Sequence, residues 1–249
     1  QVKHYLKIPM KRLPYNDNAS EELENMIKRE CDPSEIGFVI MECVQGEGGY
    51  IPAPKKMVQD IRKTTKKYGI PLIIDEVQAG MGRTGKWWAY QHYDIVPDIQ
   101  SCAKMLQVAA TVSKKSMFPT EASAISSTWG GGQVLDMAMG VAVIREIKKQ
   151  KLLKNAQRMG NEIHKRLLEI HAQTNNIHHP RGLGLMQAFD LDDTKTRNAF
   201  REKCFQKGLI VLGCGTQGIR ISPSLNIKMD EIHEGMDIID ETARSMRTQ

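Results

Sequence analysis

Short apolar runs of strand length alternate with amphipathic stretches along most of the chain. Gly37-Phe38-Val39-Ile40-Met41 is a continuous apolar run, the pattern of a buried strand. It ends in Glu42 and opens into Gln45-Gly46-Glu47-Gly48-Gly49. Between Pro54 and Lys67, Met57, Val58 and Ile61 recur at helical spacing among many lysines, and Gly69 stops the helix. Pro71-Leu72-Ile73-Ile74 is a second buried-type strand, ending in Asp75-Glu76. Strand, helix and strand predict a right-handed βαβ unit with parallel strands. Both strands then present acidic residues at one carboxyl edge, where open α/β sheets bind ligands.

The rest of the chain follows the same alternation. Residues 1–36 are polar, with a helical stretch over 20–30. A glycine-rich loop, Ala79-Gly80-Met81-Gly82-Arg83-Thr84-Gly85, precedes Trp87, Trp88 and Tyr90. Pro97-Asp98-Ile99 opens a short strand, Lys104 follows it, and residues 106–112 read as another strand. A second glycine loop, Ser127-Thr128-Trp129-Gly130-Gly131-Gly132, leads into a helix carrying Val134, Leu135, Ala138, Val141, Ala142 and Ile144. Residues 153–170 form a long amphipathic helix. The polar stretch 174–180 marks the sharpest boundary. Beyond it lie strands over 183–189, 209–212 and 220–222 and helices over 195–207 and 230–246, an α+β module. No internal repeat or low-complexity segment is present.

Length and composition change little in this picture. A chain of 249 residues buries a core without staples, and 41% hydrophobic with 26% charged residues is ordinary for a globular protein. No apolar run approaches the length of a spanning helix. The net charge is +6, but the cations are spread out and no aromatic-rich basic stretch accompanies them, so no nucleic-acid partner is expected. The five cysteines show no CxxC or metal-ligand spacing, which predicts reduced thiols in a cytoplasmic protein and no metal site. Cys43 and Cys102 border apolar runs and are expected in the core. The start, Gln1-Val2-Lys3-His4-Tyr5, has neither an initiator Met nor a signal-peptide pattern, as expected of a processed or trimmed chain.

Two residues carry candidate chemistry on their own. Asp75 ends a buried strand at the ligand edge. It is either a loop cap or a carboxylate facing a buried cation, because burial without a partner is costly. Lys104 stands in Ser101-Cys102-Ala103-Lys104-Met105-Leu106, a small and apolar setting unlike the lysine-rich helices. A desolvated lysine is a usable amine nucleophile, the group that a carbonyl cofactor needs. Ser101-x-x-Lys104 fits a serine–lysine hydrolase pattern, but its partner motifs are absent. No GxGxxG follows a strand and opens a helix, so a dinucleotide fold is unsupported.

Together the motifs resemble the class III, or ω-amino acid, aminotransferases. The resemblance runs in order through Glu42-Cys43-Val44-Gln45-Gly46-Glu47-Gly48-Gly49, Ile74-Asp75-Glu76-Val77-Gln78 with the 79–85 loop, Pro97-Asp98-Ile99 with Lys104, and Ser127-Thr128-Trp129-Gly130-Gly131. It continues through Arg181-Gly182-Leu183-Gly184 and Gly213-Cys214-Gly215 to Ile219-Arg220-Ile221-Ser222-Pro223, covering residues 37 to 245. Within the family the chain is most similar to 4-aminobutyrate aminotransferases, with lysine ε-aminotransferase next because of Leu106-Gln107-Val108.

The resemblance implies an α/β fold of type I among pyridoxal-phosphate transferases. Residues 1–150 would form part of the large, mainly parallel-sheet domain, and 151–249 a connecting helix and a C-terminal α+β small domain. It implies pyridoxal 5'-phosphate as cofactor, amino-acid and 2-oxo-acid substrates, and a homodimer that does not enter a membrane. Lys104 would be the Schiff-base lysine and Asp75 the partner of the pyridinium nitrogen. Gln78 would lie near the phenolic oxygen, and Thr128 would reach the phosphate from the partner subunit. Glu47 and Arg220 would be a switch pair, the arginine binding a substrate carboxylate and the glutamate covering it otherwise. Cys43 stands where the family usually has proline, and Gly132-Gln133 where Asn-Pro is common. Nothing before Gly37 matches the family's N-terminal phosphate loop, so the chain resembles the C-terminal portion of such an enzyme. Ornithine and acetylornithine aminotransferases, an amino-acid racemase on the same scaffold, and a folded but inactive fragment are the alternatives.

Overall fold

The computed structural model describes residues 9–121, 124 and 131–246. Helix α1 (Ala19–Arg29) buries Ala19, Leu23 and Ile27 at helical spacing. Strand β1 (Val39–Met41) leads to a small antiparallel pair, β2 (Val44–Gln45) and β3 (Ile51–Pro52). Helix α2 (Lys55–Tyr68) buries Met57, Val58 and Ile61 and turns its lysines outward. Gly69, at φ 70°, takes the left-handed conformation that ends it and donates its N–H to Thr65 O. Strand β4 (Leu72–Asp75) lies parallel to β1, with Val39 opposite Leu72 and Met41 opposite Ile74.

Strand β5 (Ile99–Cys102) is parallel to β4, and Asp75 lies opposite Ser101. Strand β6 (Ala110–Ser113) closes the order β1-β4-β5-β6 in the antiparallel sense. The expected strand over 106–112 is therefore corrected. Lys104–Leu106 is a 3₁₀ turn and Gln107 is left-handed at φ 65°. Leu106 is drawn into the core from that turn, so its apolar run does not mark a strand.

Helices α3 (Val134–Lys149) and α4 (Leu152–Thr174) lead to a second sheet of β7 (His178–Leu183), β8 (Met186–Asp190), β9 (Leu212–Cys214) and β10 (Gly218–Ile221). Its order is β7-β8-β10-β9, antiparallel throughout. The strand expected over 183–189 is β8, which starts three residues later at Met186, because Gly184 at φ 53° turns the chain after Leu183; β7, before the turn, begins in the polar stretch read as a boundary. The strand expected over 209–212 starts at its last residue. Helices α5 (Thr194–Gln206) and α6 (Met229–Ser245) complete the chain.

Two apolar clusters form the core. One gathers α1, α2 and β4. The other packs the buried stripe of α4 (Ala156, Met159, Ile163, Leu167, Ile170) against Phe189, Phe200, Ile232 and Met236. The rings of Phe189 and Phe200 meet edge to face, 5.5 Å apart. The clusters interlock, since Met186, Ala188 and Cys214 join the first while Met81, Cys102 and Leu106 join the second. The tightest junction is at Gly160 of α4, where a Cβ would stand 2.0 Å from Gly184 O. Leu185 also donates its N–H to Arg83 O at 2.9 Å, so the 80–85 loop is clamped between α4 and the hairpin. Among the described residues no helix is long and apolar enough to cross a membrane.

Candidate active site

The carboxyl ends of β1, β4 and β5 point to one place, because these strands are parallel and in register. There a cavity of about 560 Å³ opens between the first sheet and the edge of β10. Glu47, Gln78, Lys104 and Arg220 line it together. Glu47 and Arg220 lie 173 positions apart, and Arg220 Nη1 donates to Glu47 Oε1 at 2.7 Å. Gln78 Nε2 donates to the same carboxylate oxygen at 3.2 Å. These contacts, Arg220 first, hold the Glu47 carboxyl below the usual carboxylate range.

Lys104 is exposed at the cavity, which corrects the desolvated setting expected for it. The 3₁₀ turn sends Leu106 into the core and leaves the lysine on the open side. The backbone of Lys104 sits at φ 37°, a left-handed conformation unusual for a side chain of its size.

Asp75 does not line the cavity. It sits half-buried at the end of β4, beside the turn that carries Lys104. Its Oδ1 accepts from Val77 N–H at 2.9 Å and from Ser101 Oγ at 3.0 Å. Among the described residues Oδ2 has no hydrogen-bond partner and Asp75 has no ion pair. One oxygen is therefore fixed while the other is free to accept from a cationic N–H. Thr128 lies outside the described residues.

The donor set fits pyridoxal phosphate. It offers an accessible amine, an adjacent carboxylate with one free oxygen, and an amide and an arginine in the same cavity.

Sequence pattern assigned no role to Tyr50, Arg83, Met105, Gln107 or Ser222, which complete the cavity wall. Tyr50, Arg83 and Ser222 stand inside or directly beside the motif runs, and that adjacency was their one available signal. Arg83 donates through Nη1 to Pro223 O, tying the glycine loop to the second sheet. Burial lowers its pKa.

Two further carboxyls support the site. Glu42 Oε1 accepts from Gly46 N–H at 3.0 Å, shaping the loop that carries Glu47, and burial raises its pKa. Glu76 is 1% exposed and accepts from the N–H groups of Ala89 and Tyr90, both at 2.9 Å.

Burial pushes the Glu76 carboxyl up to about 7, against the pull of those two N–H groups. The unfolded chain loses this proton near pH 4.5 and the folded chain only near 7, so stability falls as pH rises between these values and levels off above. The loss totals on the order of 3 kcal/mol. Glu76→Gln removes the titration. Thermal unfolding between pH 4.5 and 8 should show the wild-type midpoint dropping relative to the variant's up to pH 7. A pH-independent gap between the two would exclude the shift.

Comparison with known proteins shows the family of the chain. A family model described as aminotransferase class-III matches residues 2–243, so the match takes in the polar stretch before Gly37, where no motif was legible. An acetylornithine aminotransferase of Prochlorococcus marinus is 36% identical over 91% of this chain and 56% of its own. A 4-aminobutyrate aminotransferase of Dictyostelium discoideum is 34% identical over 92% of this chain and 46% of its own. The chain thus spans about half the length of the curated relatives it matches. A lysine aminotransferase from M. tuberculosis, solved in its internal aldimine form, superposes with a TM-score of 0.84 at 30% identity, over 90% of this chain and 52% of that one. These near-equal identities single out no one donor, so the expected likeness to 4-aminobutyrate enzymes stands at the level of the family.

Proposed function

The chain belongs to the class-III aminotransferases, enzymes of fold type I that work with pyridoxal phosphate, and from that premise we propose that it is the lysine-bearing portion of an enzyme moving the amino group of an ω-amino acid to 2-oxoglutarate. A 4-aminobutyrate-like donor is the reading we favour, with lysine, ornithine and acetylornithine as the related donors. In this reading residues 1–150 belong to the large domain and 151–249 to the connecting helix and small domain. The whole enzyme acts as a homodimer in the cytoplasm. The observation that carries the proposal is the Glu47–Arg220 pair lining the same cavity as Lys104.

Bound pyridoxal phosphate supplies a carbonyl that condenses with amines and a ring that accepts electrons. Lys104 Nζ would hold that group and, as a free amine, take the proton from the amino-bearing carbon of the donor. Asp75 would keep the ring nitrogen protonated, Gln78 would lie near the phenolic oxygen, and Thr128 would reach a phosphate oxygen of the partner subunit's site across the dimer interface. Arg220 would bind the α-carboxylate of the keto acid, a task suited to a planar two-pronged cation. With an ω-amino donor no carboxylate arrives there, and Glu47 keeps the arginine covered.

The test is single-turnover kinetics of each half-reaction, read from cofactor absorbance. Arg220→Lys should slow the keto-acid half-reaction about 100-fold, because one bidentate contact is lost, while changing the ω-amine half-reaction less than about threefold. Glu47→Ala should let α-amino acids react better as donors. Equal losses in both half-reactions would show a fixed ion pair instead. No cofactor absorbance after reconstitution would favour an inactive fragment.

A further inference from the structure

Glu47 and Arg220 touch, yet they are held very differently. The Arg220 side chain is 18% exposed and that of Glu47 76%. Arg220 rises from β10, which is bonded on both sides, to β8 and to β9. Its Nε is buried without a hydrogen-bond partner, so hydrogen bonding at that nitrogen does not aim the side chain. Nη1 donates to Glu47 and, at 3.5 Å, to Gln78 Oε1, and a ring lies against the guanidinium: the Arg220 Cζ stands 5.9 Å from the centroid of Tyr50, itself only 3% exposed. The backbone accepts strain to put the ring there, since Tyr50 is left-handed at φ 53°.

The loop before Tyr50 is pinned from the second sheet. Gly215 donates its N–H to Glu47 O at 3.0 Å, and Arg181 Nε donates to Gly49 O at 2.8 Å. The Glu47 carboxylate is thus free to leave Arg220 by side-chain rotation while its own backbone and the Tyr50 ring stay in place.

We propose that Tyr50 is a positioning residue, whose ring face holds the Arg220 guanidinium aimed into the cavity whether its partner is Glu47 or a substrate carboxylate. The meaning of that contact for substrate choice rests on the aminotransferase reading, but the contact itself does not. A preset guanidinium binds a carboxylate without the cost of ordering a long side chain at that moment.

The contact is testable without cofactor, through the Glu47 carboxyl titrated by carbon NMR in the full chain. Arg220 pulls that group down first, Gln78 next and Lys104 at longer range. Tyr50→Phe keeps the ring and should leave the Glu47 titration within about 0.2 unit of wild type. Pentafluorophenylalanine at position 50 keeps the volume but reverses the charge of the ring face. It should raise the Glu47 pKa by about half a unit, as should Tyr50→Leu.

In the cofactor-loaded enzyme the same two variants should raise the keto-acid KM about threefold with kcat held. A folded pentafluoro variant that titrates like wild type overturns the proposal. So does a Tyr50→Phe shift as large as the fluorinated one, which would assign the effect to the hydroxyl. An undepressed Glu47 in the wild type removes the ion pair and the proposal with it. If the NMR series behaves as expected but no transamination occurs, the positioning stands and the activity reading falls.

Discussion

Lys104→Ala is expected to abolish transamination, with a loss of about 10⁴-fold or more, while the folded chain survives nearly unchanged. The size follows from the two functions proposed for Lys104, the amine that would hold the cofactor and the base that would move the proton, the second alone being worth about 10²–10⁴. Stability should hold because Lys104 is exposed and fills no core volume. Alanine inherits the φ of 37° without relieving it, so the midpoint of thermal unfolding should move by no more than about two degrees. Lys104→Gly, which would tolerate that φ, should be as inactive and slightly more stable, separating backbone strain from chemistry. Borohydride reduction of the cofactor-loaded protein followed by peptide mapping should place the pyridoxyl label on Lys104. A label on any other lysine would end the assignment.

The positions of Asp75 and Lys104 were legible because buried strands end just before them. Leu72 and Ile74 are wholly buried, and the period-two pattern puts Asp75 on the partly open side and Glu76 inside. What the sequence left illegible is the role of Glu76, sealed against the N–H groups of Ala89 and Tyr90. The exposure of Lys104 was illegible for a related reason. Its apolar neighbours do go into the core, but a 3₁₀ turn decides that the lysine does not.

Arg220 alternates with Ile219 and Ile221 like any polar residue of a half-buried strand, and only the motif resemblance marks it. Its meeting with Glu47 depends on the interlocking of two clusters, which no local pattern encodes. Only the second strand of the β7–β8 hairpin was legible, because β7 begins in the polar stretch 174–180. The turn depends on the conformation of Gly184 and on the close approach of α4. Tyr50 gave no signal beyond its place after Gly49, since a tyrosine there reads as ordinary strand-entry packing.

Asp75→Asn should disable turnover by about 10³-fold with the cofactor still bound and the fold intact. Local structure survives because the asparagine Oδ1 can keep both bonds that Asp75 Oδ1 makes, from Val77 N–H and Ser101 Oγ. The change falls on the other atom. Where Asp75 leaves Oδ2 free to accept, asparagine presents an NH₂ group, a donor set against the donor N–H of a protonated ring. The variant therefore loses the negative charge and adds a donor where the proposed role needs an acceptor, so position 75 would no longer hold a proton on the ring nitrogen. Each unit of lost differential stabilisation is worth about 1.4 kcal/mol, and about three such units give the expected factor.

Ser101→Ala supplies the contrast. It removes one hydrogen bond to Oδ1 but leaves charge and acceptor in place, so its cost should stay within about tenfold. Single-turnover rates for the two variants, with bound cofactor quantified from its absorbance, separate charge from positioning. Near-normal turnover in a cofactor-loaded Asp75→Asn chain would remove Asp75 from the machinery. A Ser101→Ala loss equal to that of Asp75→Asn would mean that orientation of the carboxylate, rather than its charge, is what the end of β4 provides.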